Sequence, residues 1–249
     1  MSKVRAFFRT GAFAGFSAGI LTAYETRRAM TSEAEQEALA NRYRARLSNG
    51  LLRVFGAELR VRGPRPTGGG AVVVANHPSA LDIGVMLSVF DAVMVSRHDV
   101  AEWPVLGRLA KHGDTIFVDR EDRRSGAAAI REMRRRAREG RTVVAFPEGG
   151  TFPGDSVREF HPGAFAAVSS LDVPMVPVGL AYAPAVAYEE ESFTRHIVNI
   201  AARQKTRIAV HIGEPLRAGL AARSAAASAR DEVERLVTEA RAALDRESE

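Results

Sequence analysis

Short apolar runs alternate along this chain with segments of helical periodicity, and no other feature restricts its fold so strongly. Runs at 71–75, 92–96, 115–118, 142–146, 175–180 and 207–212 have the length and composition of strands, while 78–90, 123–139 and 161–170 repeat with a helical period. Strands separated by helices imply crossover connections, so the expected fold is α/β, with a largely parallel central sheet flanked by helices. At 249 residues, 46% of them hydrophobic, the chain can bury one substantial core. No internal repeat or second core is visible. The expected organisation is a helical membrane-association element over 1–56, the α/β domain over 57–216, and a C-terminal helix over 217–249 packed on or beside it.

The N-terminal element rests on two segments. Gly11 to Tyr24 is fourteen uncharged residues flanked by Arg5, Arg9, Glu25, Arg27 and Arg28. It is too short to span a bilayer, and suggests an interfacial or re-entrant helix with arginines at the headgroup level. A basic start before an apolar centre also fits a signal peptide. Thr31-Ser32 then precedes an acid-rich helical start, with Leu39, Tyr43, Leu47, Leu51 and Phe55 as its apolar stripe and Gly56 as terminator. Residues 63–70, rich in glycine and proline, read as a turn.

Chemistry concentrates where the first of the six runs ends. Asn76-His77-Pro78-Ser79-Ala80-Leu81-Asp82 follows the strand-like Ala71–Ala75 directly. Pro78 suits the first turn of a helix, leaving His77 in the turn and Asp82 inside the helix. On one continuous helix, residues five apart diverge by about 140°. A break before the helix is therefore needed for the imidazole to meet the carboxylate. Such a pair could also be no more than a hydrogen-bonded turn.

Three more segments follow in order: Gly113 to Arg120, Phe146-Pro147-Glu148-Gly149, and Val173-Pro174-Met175-Val176-Pro177-Val178. Together with the histidine segment, from about Leu52 to Pro215, this set resembles the glycerolipid (lysophospholipid) acyltransferase family, the PlsC-type enzymes that acylate lysophosphatidic acid. The resemblance implies an O-acyltransferase with acyl-CoA or acyl-carrier protein as donor and a lysophospholipid as acceptor, with no cofactor and no metal. It assigns His77 as general base and Asp82 as the carboxylate that holds the ring in the right tautomer. Neutral imidazole, with an ordinary pKa of about 6.5, suits removal of a proton from an attacking hydroxyl. No enzyme nucleophile is required. Ser79 lacks the G-x-S-x-G elbow and reads as a turn or capping serine, retained with Asn76 among the candidate substrate-binding residues.

The other implied binding residues are Asp119, Arg120, Glu148, Gly149, Thr151, Arg158 and Pro177. Arg120 is expected to grip the acceptor phosphate by a charge-assisted, often bidentate contact, with Asp119 orienting it. Around Glu148 the chain departs from the family pattern: Gly150, Thr151 and Phe152 stand where threonine, arginine and a small hydroxyl residue are usual. The missing arginine leaves the acceptor headgroup open, with Arg158 able to supply the charge and lyso-ornithine lipid as the alternative acceptor. His161-Pro162-Gly163 occupies a basic, glycine-containing position of the family, either as a second catalytic histidine or as a capping residue. Pro177 would wall the substrate pocket, although its segment also reads as a plain core strand.

Charge narrows the partners. The excess is slight, 35 basic against 30 acidic residues, and cysteine is absent. Arg131, Arg134, Arg135, Arg136 and Arg138 crowd one helical segment, either as a solvated face or as a patch for anionic lipid or an acidic carrier. No recognition motif points to nucleic acid. His98, His112, His196 and His211 show no metal-ligand spacing. The expected location is the cytoplasmic face of the cell membrane, peripheral or monotopic, since a cytosolic donor is hard to reconcile with export. Rival classes are a non-catalytic lipid-binding membrane protein and a hydrolase in which water replaces the lipid hydroxyl.

Overall fold

Ala71–Ala75, strand β2 of the computed structural model, is buried at all five positions, as expected of a parallel strand covered on both faces. The structure describes residues 2–66, 70–103, 105–169, 171, 173–184, 193–216 and 219–246. Of the expected turn at 63–70, residues 67–69 lie outside them, as do 170 of the helical segment 161–170 and 217, 218 and 247–249 of the C-terminal segment. Among the described residues the other strands are β1 (Ala57–Arg62), β3 (Ala92–Arg97), β4 (Ile116–Val118), β5 (Thr142–Ala145), β6 (Met175–Ala183) and β7 (Thr206–Ile212). They form one sheet in the order β1-β7-β6-β2-β5-β3-β4. The five from β6 to β4 are parallel; β7 runs antiparallel to β6, and β1 runs parallel to β7. The sheet is therefore largely parallel, with one reversal.

Eight α-helices among the described residues cover it: α1 (Ser2–Arg28), α2 (Glu33–Val54), α3 (Asp82–Val89), α4 (Leu106–His112), α5 (Arg123–Arg138), α6 (Gly163–Val168), α7 (Phe193–Ala202) and α8 (Ala222–Arg246). Side-chain alternation along the strands sorts them into two layers. Val73 of β2 and Val176, Val178, Leu180 and Tyr182 of β6 face α2, α3 and α7. Val72 and Val74 face the other way, toward α5, α6 and α8. Helix α8 lies so close to β6 that a β-carbon on Gly179 would come within 2.5 Å of the backbone at Leu236 and Val237.

Four expectations change. The segment Gly11–Tyr24 is the middle of one 27-residue helix, α1. Arg5 and Arg9 of α1 point into the protein rather than to a headgroup layer: Arg5 donates to Ala202 O at 3.1 Å, and Arg9 to Phe55 O at 3.1 Å and Arg203 O at 2.6 Å. They satisfy carbonyls left open at the ends of α2 and α7. Helix α3 begins only at Asp82, so Pro78 lies in the connecting segment rather than in a first helical turn. Pro177 sits mid-strand in β6, paired with Val74, and its ring meets the Gly213 side of the sheet near Leu236 of α8. Strand alternation turns it away from the face that carries Tyr182, so it walls no pocket beside His77. Strand β1 and helices α4 and α7 are additions to the sequence reading.

Candidate active site

The strand-to-helix connection between β2 and α3 carries the site. Asn76 continues β2 by side chain instead of backbone: its Nδ2 donates to Leu180 O at 2.9 Å and its Oδ1 accepts from Leu180 N at 2.8 Å. That clamp ties the end of β2 to β6 and commits Asn76 to the scaffold, away from substrate. The chain then turns, and α3 starts six residues later with Asp82 as its first residue. The break lets the side chains five positions apart meet, and His77 Nδ1 lies 2.8 Å from Asp82 Oδ2.

A carboxylate can only accept, so Nδ1 carries the ring proton and Nε2 keeps a free lone pair. Asp82 is wholly buried, while the His77 side chain retains 14% of its exposure. Burying a charge is tolerable only when its oxygens are satisfied. Asp82 Oδ2 also accepts from Ser79 N at 2.8 Å, and its Oδ1 accepts from the hydroxyl of buried Tyr182. Burial first, then the Asp82 charge and the bond to it, pushes the Tyr182 phenol well above its ordinary range, so it is a neutral donor there. Ser79 is buried too, with Oγ 3.1 Å from His196 Nε2 and accepting from Leu81 N at 3.2 Å. Its hydroxyl braces the turn.

The loop after β5 forms the other wall. Phe146 stacks on the His77 ring, centroids 4.0 Å apart and planes within 9°. Glu148 Oε1 accepts from His77 N at 3.0 Å, and Phe152 N donates to His77 O at 2.9 Å. Glu148 also accepts from the backbone N–H of Arg158. Burial is the largest influence on this carboxyl and Asp82 adds to it; the two N–H donors and the Arg158 charge oppose them, leaving it pushed up to about 7. Gly149 has φ +76°, a left-handed conformation that favours glycine. A β-carbon there would lie 2.8 Å from His161 Cδ2 and 3.7 Å from Arg120 Nη1. The imidazole of His161 and the guanidinium of Arg120 thus converge over Gly149, one residue from Glu148.

The remaining candidates separate. Arg120 is exposed and has no hydrogen-bond partner among the described residues; partial burial first, then Arg97, holds its guanidinium below the ordinary arginine range, with Asp99 opposing. Asp119 does not orient it. Its Oδ1 accepts from Glu121 N at 3.0 Å and lies 3.8 Å from His98 Nδ1. Arg158 sets its guanidinium over the Phe152 ring at 4.2 Å, and Thr151 is half-buried in the same loop. The arginine crowd on α5 is largely consumed internally. Arg134 donates to Ala166 O and Ala167 O, Arg135 pairs with Glu132 and Glu139, and Arg136 pairs with Glu132 and Asp114.

Sequence reasoning gave Phe146 and His196 no place in the site and did not single out Tyr182. Tyr182 is separated from Asp82 by 100 positions. Only its place on the β6 face shared with Leu180 could have marked it, since a tyrosine in a buried strand needs a partner for its hydroxyl.

A family model described as Acyltransferase matches residues 58–181, which contain every one of these candidates except Tyr182 and His196. The lyso-ornithine lipid O-acyltransferase of Rhizobium meliloti is 35% identical over 134 residues, 54% of this chain and 46% of that protein. The 1-acyl-sn-glycerol-3-phosphate acyltransferase of Neisseria meningitidis serogroup B is 30% identical over 143 residues, 57% of this chain and 56% of that protein. The matched region thus spans about half the length of these curated relatives. The crystal structure of the 1-acyl-sn-glycerophosphate acyltransferase PlsC from Thermotoga maritima has the same fold, with a TM-score of 0.77 over 97% of this chain and 98% of that one at 19% identity. The turn that joins His77 to Asp82, the Glu148 loop against it and strands β2 to β5 all lie inside the matched region, and over residues 58–181 the chain matches the Acyltransferase family.

Proposed function

We propose that this protein is an O-acyltransferase that moves a fatty acyl group from acyl-CoA or acyl-carrier protein to the free hydroxyl of a lysolipid. The observation that carries the reading is the 2.8 Å contact between His77 Nδ1 and a buried, fully hydrogen-bonded Asp82, which leaves Nε2 as a base. The acceptor hydroxyl would give its proton to Nε2 as its oxygen attacks the thioester carbonyl. The tetrahedral intermediate collapses with cleavage of the C–S bond, an ester forms, and the departing thiolate takes the proton from the imidazolium. Asp82 stabilises that imidazolium without itself becoming protonated.

For the acceptor, lysophosphatidic acid is the leading reading and phosphatidic acid the product. It is supported by Arg120, whose guanidinium is free for an anion beside Gly149. A lyso-ornithine lipid is the second reading, favoured by the arginine missing after Glu148 and by the named activity of the Rhizobium relative. We also propose that the protein acts at the cytoplasmic face of the membrane, without spanning it. Among the described residues no helix is long and apolar enough to cross a bilayer. The exposed positions of α1 from Val4 to Ala23 carry no charge, with Phe7 75% and Phe8 67% exposed.

Acyl transfer assayed with both donors and a panel of acceptors tests the reading. His77→Ala is expected to lower the rate by about 10²–10⁴-fold in a folded protein, the usual range for a general base. Near-normal turnover in that variant would sink the mechanism. In the same assay, Arg120→Ala should cost roughly ten- to a hundredfold with lysophosphatidic acid and little with an acceptor lacking phosphate. Equal loss on both would make Arg120 structural.

A further inference from the structure

Beneath the His77–Asp82 pair lies a buried polar floor that the reaction as written does not use. Tyr182 reaches it from β6 and His196 from α7, 100 and 117 residues distant from their partners Asp82 and Ser79. The Tyr182 hydroxyl donates to Asp82 Oδ1, so Oδ2 is the oxygen left to face His77 Nδ1 and Ser79 N. Ala80 N, which can only donate, lies 3.2 Å from His196 Nε2, so that nitrogen is unprotonated and must accept. The Ser79 hydroxyl lies 3.1 Å from the same nitrogen, accepts from Leu81 N and also hydrogen-bonds the Tyr182 side chain. All of these bonds join Tyr182 and His196 to the turn that carries Asp82.

We propose that Tyr182 and His196 are positioning residues for the His77 base: Tyr182 fixes the Asp82 carboxylate and tempers its charge, and His196 holds the Ser79–Ala80 turn that delivers Asp82 to it. Neither residue touches the reacting atoms. A hydroxyl donating to one carboxylate oxygen draws charge from the other, weakening the pull of Asp82 on the imidazolium that forms during transfer. It also prevents the carboxylate from rotating. Without it, His77 Nδ1 would share an unanchored partner and the two ring tautomers would mix. The charged and titratable groups facing this floor are His77, Asp82, Glu148 and His196, with the Arg158 charge acting on Glu148. The proposal deepens the acyltransferase reading and rests on it for its kinetic arm only.

The test replaces one atom. Tyr182→Phe keeps the ring and removes the donor. In nitrogen NMR of histidine-labelled protein, wild type is expected to show His77 in a single tautomer protonated at Nδ1, and Tyr182→Phe a mixture. In acyl transfer the variant should lose about ten- to a hundredfold in kcat at little-changed KM, and the acidic limb of its pH–rate profile should move to higher pH, because the stronger Asp82 charge favours the imidazolium. Site-specific 3-fluorotyrosine at position 182, a stronger donor of the same shape, should move that limb to lower pH, and it serves if the phenylalanine variant fails to fold. His196→Gln should lower kcat with the tautomers mixed, as the turn loosens. Unchanged tautomers and an unchanged pH profile in a folded Tyr182→Phe or 3-fluorotyrosine protein would overturn the proposal. If the protein transfers no acyl group at all, the tautomer measurement still decides it, so the two failures are distinguishable.

Discussion

Glu148 and Asp82 are both buried carboxyls a few ångströms from the same histidine, yet their surroundings ask opposite things of them. Asp82 has a ring N–H, a backbone N–H and a phenol hydroxyl directed at it, so the structure is built for its anion. Glu148 has two backbone N–H donors, but burial and the neighbouring Asp82 charge outweigh them, and it is pushed up to about 7. The folded chain therefore holds this proton well above the 4.5 at which the unfolded chain releases it. Its contribution to stability is fully present below the unfolded value and is lost as the pH rises toward about 7, a change on the order of 3 kcal/mol. Glu148→Gln removes that titration. Denaturant unfolding across this window should show wild type losing stability relative to the glutamine variant as the pH rises. A constant difference between the two proteins would mean that Glu148 is ionised throughout.

At the scale of elements, α1 is a helix as expected, but two of its flanking arginines serve the protein rather than headgroups. Its fourteen uncharged residues promised a membrane segment, and the flanking arginines seemed made for headgroups. Folded, it is about 40 Å of helix at 1.5 Å per residue. One side packs on α2 and α7, with Arg5 and Arg9 bound to carbonyls there, and from Val4 to Ala23 the other side is uncharged and exposed. The double substitution Phe7→Ser/Phe8→Ser alters only that outer side. Full burial of a phenylalanine contributes about 1.5–3 kcal/mol, so co-sedimentation with anionic vesicles should fall by roughly tenfold or more. Activity on a short, monomeric acceptor should be spared. Undiminished vesicle binding would remove α1 as the docking element. Helix α2 makes a related point about periodicity. Its stripe of leucines, tyrosine and phenylalanine repeats every four residues, which drifts about 40° per step around a helix of 3.6 residues per turn. The buried line accordingly slips by one position, through Leu39, Tyr43, Ser48 and Leu52, and leaves Leu47 and Leu51 half-buried.

Across the whole molecule, the two helical layers depend on how closely they can approach one sheet. Gly179 sets that distance for α8. An alanine there would place its β-carbon 2.5 Å from the backbone of Leu236 and Val237, which cannot yield as a side-chain end could. Gly179→Ala should cost about 1–3 kcal/mol and lower the thermal midpoint by several degrees, at about 2–4 °C per kcal/mol for a chain of this size. An unchanged midpoint would show that α8 can slide on the sheet. By itself, the sequence determined the six short apolar strands, the α/β class, the turn after β2 that carries His77 and the pairing of His77 with Asp82, because these depend on neighbours close along the chain. Only the tertiary structure decided the antiparallel reversal of β7, the edge strand β1, the burial of Pro177 against α8, and the capture of Asn76 by Leu180. It also brought Tyr182 and His196 beneath Asp82. Partners a hundred residues apart leave no local signature; what selects them is the need of each buried polar group for a hydrogen bond, and that need has no answer until the sheet has closed.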